Sequence, residues 1–189
     1  DYYASRGLGD VYKRQVYSDA ALSDMLERCK NFGLADSETV DFVGTNAKMN
    51  EFSAAMGLCN LRHVDSEIAK RRLVVERYNE RLSRVEGVRL CSIPMGVKHN
   101  YAYMPIVIED QFGISRDDLA SALANEGIFA RKYFFPLITD FDCYRESYDS
   151  RATPIARDVS SRVLTLPLYA DLNLSDVDVI CDVISACSR

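Results

Sequence analysis

An α/β fold is the class this sequence predicts, and three observations carry it. Helical periodicity and strand-like runs alternate along the chain from Val16 onward. Two Ser-x-x-Asp signatures, at Ser115 and Ser175, read as capping boxes that open helices. Gly or Pro then closes most elements, as at Gly33, Gly87, Gly127 and Pro136. The 189 residues, 48% of them hydrophobic, can bury a core for one domain or a little more.

Composition narrows the function classes. The 23 basic and 28 acidic residues leave a net charge of −5. That balance argues against nucleic acid or an anionic membrane as the main partner and suits a cytoplasmic enzyme. No apolar run approaches the roughly 20 residues of a membrane span. Cys29, Cys59, Cys91, Cys143, Cys181 and Cys187 include no Cys-x-x-Cys pair and are expected to be reduced core thiols. His63 and His99 form no set with metal-ligand spacing, so no metal is expected.

Taken in order, residues 1–15 fit nothing downstream. They lack an initiator Met and an apolar signal core, and read as a non-native, adaptor-like segment. Gly7-Leu8-Gly9 is too little for a phosphate loop. Val16-Tyr17 reads as a strand end, and Ser18 as the cap of a helix carrying Leu22, Met25, Leu26 and Cys29 that stops at Gly33. Leu34 to Val43 is a polar, acidic connector. In the stretch Gly44 to Leu61, Thr45 or Asn46 is placed to cap a helix whose Met49, Phe52 and Met56 share one face. Ala54, Ala55 and Gly57 beside them would let another backbone come close. On periodicity alone this is an ordinary buried helix.

The longest helix is expected from His63 to Val85, burying Val64, Ile68, Val75, Tyr78, Leu82 and Val85. Glu67–Arg71 and Glu80–Arg84 are i,i+4 pairs of ~0.3 kcal/mol each, and the many arginines read as a solvated face. Residues 87–189 form a smaller α+β unit. Val88–Ile93 and Tyr101–Glu109 are expected to pair as a hairpin, followed by the Ser115 helix with Leu119 and Leu123. Ile128–Phe135 reads as a third strand, Thr153-Pro154 as a helix start, and Val163–Leu166 as a fourth strand. The Ser175 helix is expected to bury Val179, Ile180, Val183 and Ile184. The capping roles account for the paired acids Asp117-Asp118 and Asp176/Asp178. Lys98-His99-Asn100 reads as a structural turn.

The run Gly-x-Asn-x-Lys-Met-x-Glu-Phe-x-Ala-Ala-x-Gly-Leu, from Gly44 to Leu58 and followed at once by an Arg-rich helix, resembles the DegT/DnrJ/StrS family. Its members are pyridoxal 5'-phosphate (PLP) aminotransferases acting on nucleotide-linked keto-sugars. The resemblance implies the C-terminal part of a fold-type-I PLP-dependent transferase, aspartate-aminotransferase-like. On that basis residues 16–43 end the large PLP-binding domain, 44–86 are interdomain helices, and 87–189 are the small C-terminal α/β domain. It further implies amino transfer from an amino acid, glutamate being expected, to a nucleotide-linked keto-deoxysugar for polysaccharide or antibiotic-sugar synthesis, by a cytoplasmic homodimer with shared active sites. Two alternatives stay open: a dehydratase of the same family, in which histidine replaces the cofactor lysine, and an inactive docking module.

In the family the lysine that holds PLP lies upstream of the matching region, so Lys13, Lys30, Lys48, Lys70, Lys98 and Lys132 carry no catalytic assignment. The Asn of Gly-x-Asn, here Asn46, reaches a partner's PLP phosphate, an anion favoured near a helix N-terminus. Lys48 could add to it, and the plainer alternative for Asn46 is a helix cap. Thr45 and Ala47 stand where the family usually carries aromatic residues. Many members also have a His-Tyr-x-Pro-Leu-His pattern at the rim of the sugar-nucleotide pocket. Here Tyr133 takes the place of the first His and Ile138 that of the second, so no histidine role carries over. Arg131, Lys132 and Tyr133 are the substrate-binding candidates, because guanidinium and ammonium groups suit pyrophosphate oxygens. The alternative is a strand end with exposed basic residues.

Overall fold

The structure, a computed structural model, describes residues 18–47 and 49–188. The expectations for residues 1–15, for the Val16-Tyr17 strand end and for Lys48 therefore lie outside the described residues. The chain divides into two compact units, Asp1–His63 and Val64–Arg189, so the stretch 44–86 divides after His63.

In the first unit a short 3-10 turn, Ala20–Leu22, runs into helix α1, Ser23–Lys30. The 3-10 turn is capped by Asp19, whose carboxylate accepts from the Ala21 amide at 2.9 Å, rather than by Ser18, and α1 itself has no side-chain cap. Past α1 the backbone folds back on itself. Gly33 sits at φ +77°, and a Cβ there would lie 1.8 Å from the Phe42 carbonyl oxygen. A Cβ on Gly44 would lie 2.1 Å from the Gly33 nitrogen. Only glycines permit this contact of backbone on backbone. Arg28 fastens the fold from outside, with Asp24 at 2.9 Å and Asp41 at 2.6 Å.

Helix α2, Glu51–Leu61, starts later than expected. Asn50 caps it, its side-chain oxygen accepting from the Ser53 amide at 2.8 Å, so neither Thr45 nor Asn46 is the cap. The shared face of Met49, Phe52 and Met56 is exposed, Phe52 at 90%, and α2 has no buried residue. The expected buried helix is not seen: among the described residues α2 has none that is buried.

The second unit opens with α3, Val64–Leu82. Three antiparallel strands follow, β1 (Val88–Leu90), β2 (Met104–Ile108) and β3 (Val163–Leu166), in the order β1-β2-β3. Val88 pairs with Ile108 and Leu90 with Ile106; Met104 pairs with Leu166 and Ile106 with Leu164. Helices α4 (Arg116–Asn125), α5 (Pro154–Arg162) and α6 (Leu174–Cys187) complete the unit. The core joins Tyr78, Leu82, Ile106, Phe112, Leu119, Leu123, Leu164 and Ile184, all fully buried. The α4 capping box forms as expected, with Ser115 and Asp118 bonding reciprocally. Pro154 occupies the first turn of α5, where its missing N–H costs nothing. Gly87, at φ +76°, turns the chain from α3 into β1, and a Cβ there would lie 2.1 Å from the Phe112 nitrogen.

Several expectations are corrected in this unit. The third strand shrinks to one bridge, in which Arg131 and Thr165 exchange bonds of 2.9 and 2.7 Å. A turn, closed by the Phe135 amide on the Lys132 carbonyl at 2.9 Å, then carries the backbone away from β3. The last helix begins at Leu174 behind Asn173, with Ser175 inside its first turn, so no second capping box forms. Asp178 is drawn across to Arg77 and Arg81 instead. The buried face of α6 is Val177, Ile180, Cys181 and Ile184, and Val179 is exposed.

On α3 the buried positions are Val74, Val75, Tyr78 and Leu82, whereas Val64 is exposed. Glu67 pairs with Lys70 and Glu80 with Arg77, displacing the two expected i,i+4 pairs. Arg71 donates instead to the Asn100 carbonyl at 3.1 Å. Arg77 and Arg81 bind α6 rather than forming a solvated face. Among the six free cysteines only Cys181 is buried, and burial pushes its thiol up to about 12; Cys59, Cys91 and Cys143 are exposed. They are not core thiols.

Candidate functional site

The first unit holds Asn46 in place through its backbone. Asn46 bridges Asn31 in antiparallel fashion, and its neighbours are tied to the end of α1. The Thr45 amide donates to the Cys29 carbonyl and the Ala47 amide to the Lys30 carbonyl, each at 2.9 Å. Ala47 is buried at 2% exposure while Asn46 is exposed. The turn is therefore anchored by main-chain bonds and by the Gly33–Gly44 contact, and an amide-bearing side chain stands on its open side.

The second unit carries a basic and aromatic turn from Arg131 to Phe135. Arg131 donates from Nη1 to the Tyr133 hydroxyl at 2.5 Å, with its guanidinium 5.6 Å from that ring's centroid. Tyr133 stacks on Phe134 at 4.9 Å and 17°, and Tyr103 meets it edge-on at 5.8 Å. Such offset aromatic contacts are worth about 0.5–1.5 kcal/mol beyond burial. Lys132 turns the other way. Its ammonium lies 2.6 Å from Asp117 Oδ1, so Asp117 serves an ion pair as well as the first turn of α4.

Arg116, next along, escaped sequence reasoning entirely. It is 4% exposed, donates from Nε to Asp117 at 2.6 Å, and from Nη1 to the Ser160 and Val163 carbonyls at 3.1 and 3.0 Å. Its guanidinium lies 4.8 Å from the Phe135 ring centroid. A buried guanidinium must find carbonyl or carboxylate partners, and here it finds both. The Lys132 hydrogen bond first, and Arg116 after it, hold the Asp117 carboxyl below the usual range against a partial desolvation cost. The Arg-Asp pair after a capping Ser was visible in the sequence, but nothing in its spacing announces burial.

The Lys98–Asn100 turn is structural, as expected: His99 Nδ1 accepts from the Tyr101 amide at 3.0 Å and the Asn100 side chain from the Ala102 amide at 3.1 Å. Among the described residues no group of three or more His, Cys, Asp or Glu side chains could hold a metal ion, and no helix is long and apolar enough to cross a membrane.

Residues 15–185 match the model of the DegT/DnrJ/EryC1/StrS aminotransferase family. The chain is 40% identical over 160 residues to the dTDP-4-amino-4,6-dideoxy-D-glucose transaminase of Escherichia coli, covering 84% of this chain and 43% of that protein. It is 29% identical over 171 residues to the GDP-perosamine synthase of Vibrio cholerae, covering 89% and 46% respectively. Among solved structures it resembles DesI in the presence of its TDP-sugar product, with a TM-score of 0.80 and 30% identity over 91% of this chain and 44% of that one. The chain spans a little under half the length of these relatives.

Proposed function

We propose, from the premise that this chain belongs to the DegT/DnrJ/EryC1/StrS aminotransferase family, that the whole protein transfers an amino group from glutamate to a nucleotide-linked keto-deoxysugar. It works as a cytoplasmic homodimer with shared active sites and serves surface-polysaccharide or antibiotic-sugar synthesis. The observation that carries this reading is the 40% identity to a named sugar transaminase over 84% of the chain.

Pyridoxal 5'-phosphate fits the residues present in one respect. The Gly33–Gly44 contact leaves no room for a Cβ and stiffens the turn behind Asn46, whose exposed amide suits a phosphate oxygen. In this reading Asn46 and Lys48 hold the phosphate of the cofactor seated in a second copy. When bound, the cofactor supplies the carrier for the amino group and a sink for electrons. On the substrate side, the Arg131 guanidinium binds and orients the pyrophosphate, within a turn that also holds Lys132 and Tyr133. The second reading is that the 189-residue chain alone is inactive, as the family resemblance implies by placing no cofactor lysine among its matched residues.

The test uses the whole protein, glutamate and a dTDP-linked keto-deoxyglucose, a choice that follows the name of the Escherichia coli relative. Mass spectrometry should find a glutamate-dependent amino-sugar nucleotide. A dehydrated, nitrogen-free product would establish the dehydratase alternative instead, and no turnover of any nucleotide-linked keto-sugar would sink both. For the 189-residue chain, a covalent cofactor band that survives dialysis would contradict inactivity.

A further inference from the structure

The turn from His99 to Ala102 is held in a conformation its residues do not favour by themselves. We infer that His99 is a pH-sensitive latch on this turn: its neutral ring holds the Tyr101 backbone in the left-handed region, and protonation releases it. The latch borders the candidate turn of the same unit, since Tyr103 meets Tyr133 edge-on at 5.8 Å. It stands whether or not that turn meets a substrate.

Tyr101 has φ +49°, a region that a bulky side chain adopts only when its surroundings impose it. Three hydrogen bonds impose it here. The Tyr101 amide donates to His99 Nδ1 at 3.0 Å, and the Ala102 amide to the Asn100 side-chain oxygen at 3.1 Å. From α3, Arg71 Nη2 donates to the Asn100 carbonyl at 3.1 Å. The Tyr101 ring is half-buried against the core, with the imidazole edge-on to it at 4.8 Å. The amide oxygen and the guanidinium keep their roles at any pH near neutral. The imidazole does not, because Nδ1 accepts a hydrogen bond only while it carries no proton. Once protonated, Nδ1 is a second donor facing the Tyr101 amide, and the bond is lost.

The charges around the ring give nothing in exchange. Lys98 belongs to the turn itself, and α3 contributes Arg71 and Asp65, whose carboxylate lies 3.9 Å from the Lys98 ammonium. Nearby on α3, Lys70 is taken up by Glu67 and Asp171, and Arg72 by Glu76. A protonated His99 therefore joins Lys98 and Arg71, both cations, and a carboxylate that already faces Lys98.

The 189-residue chain would be followed by NMR between about pH 5 and 8, the range in which imidazoles change charge. At the upper end the His99 ring should show the Nε2–H tautomer. On acidification across this range the Tyr101 amide should lose roughly three- to tenfold of its protection against hydrogen exchange, as expected for one hydrogen bond. The bonded amides of β2 should keep theirs. His99→Asn places an oxygen acceptor at the same spacing before the Tyr101 amide and cannot titrate, so it should hold that protection throughout. His99→Ala should show the low value at both ends.

An Nδ1–H tautomer at the upper end, or Tyr101 protection that does not change across the range, would overturn the latch. A pH dependence that survives in His99→Asn would also overturn it, because the change would then belong to another group. A parallel loss in β2 would place the change in the whole unit and overturn it as well.

Discussion

Helices α2 and α6 carry the same kind of apolar signal and meet opposite ends. On α6, residues spaced by three and four positions are buried against α3, α4 and the core, Ile184 and Val177 completely. On α2, residues at the same spacing are exposed, Phe52 at 90% and Met56 at 55%. The difference lies in what faces each helix, since hydrophobic stabilisation follows area removed from water and not the pattern itself. Periodicity names a face. It does not supply the surface that covers it.

The contrast can be broken or sharpened by substitution. Ile184→Ala should cost the second unit about 2–5 kcal/mol in chemical denaturation, while Phe52→Ala should change stability by less than about 0.5 kcal/mol. A comparable loss from Phe52→Ala would mean that α2 is covered after all. Gly87→Ala should come next, costing more than about 1 kcal/mol, because a positive φ and the close approach of Phe112 penalise a Cβ together. A neutral outcome in thermal melts would remove the backbone argument for the α3–β1 turn.

Tyr78→Phe is a smaller test of the same core. It deletes the 3.0 Å bond from the Tyr78 hydroxyl to the Pro167 carbonyl and should cost about 1 kcal/mol by urea titration. Burial also pushes the Tyr78 phenol well above its ordinary value, so the hydroxyl stays protonated as a donor. No change would mean that the carbonyl finds another partner.

The gentlest effect should be on acid sensitivity. The Arg77 hydrogen bond chiefly, and Arg81 with it, holds the Asp178 carboxyl below its ordinary value in the folded chain. Its contribution is therefore present above the unfolded value of about 3.9 and is lost as pH falls through the lower folded value. Melting curves of Asp178→Asn and the unmodified chain should lie apart at pH 7 and converge towards about pH 2. Curves with a constant separation at every pH would remove Asp178 from the account of how α3 holds α6.

Much of this was readable in advance, and the misses share a cause. The α4 capping box, the proline start of α5, the β1–β2 pairing and the Tyr78–Leu82 stripe follow from chemistry within a few residues. The phase of α6 did not, because Val177, Val179, Ile180, Val183 and Ile184 offer two overlapping faces. The bond of Asp178 to α3 selects the face with Val177 and Cys181 inward. The run Ile128–Phe135 has strand composition, yet its partner strand and its own turn allow one bridge. Among the candidate residues, Asn46 and Arg131 were named through the family resemblance, whereas Arg116 depends on carbonyls 44 and 47 residues further along.

Residue order alone settled the α/β class and the sites of most turns, since caps, glycines and apolar spacing act over one or two turns of backbone, and the Gly44–Leu58 motif carried the family resemblance. It could not say which apolar face is covered, where Asp178 and Asp117 spend their charge, or that Arg116 is buried. Those outcomes depend on groups far apart in the chain being brought within bonding distance, and burial and Coulombic attraction have no value until packing sets that distance.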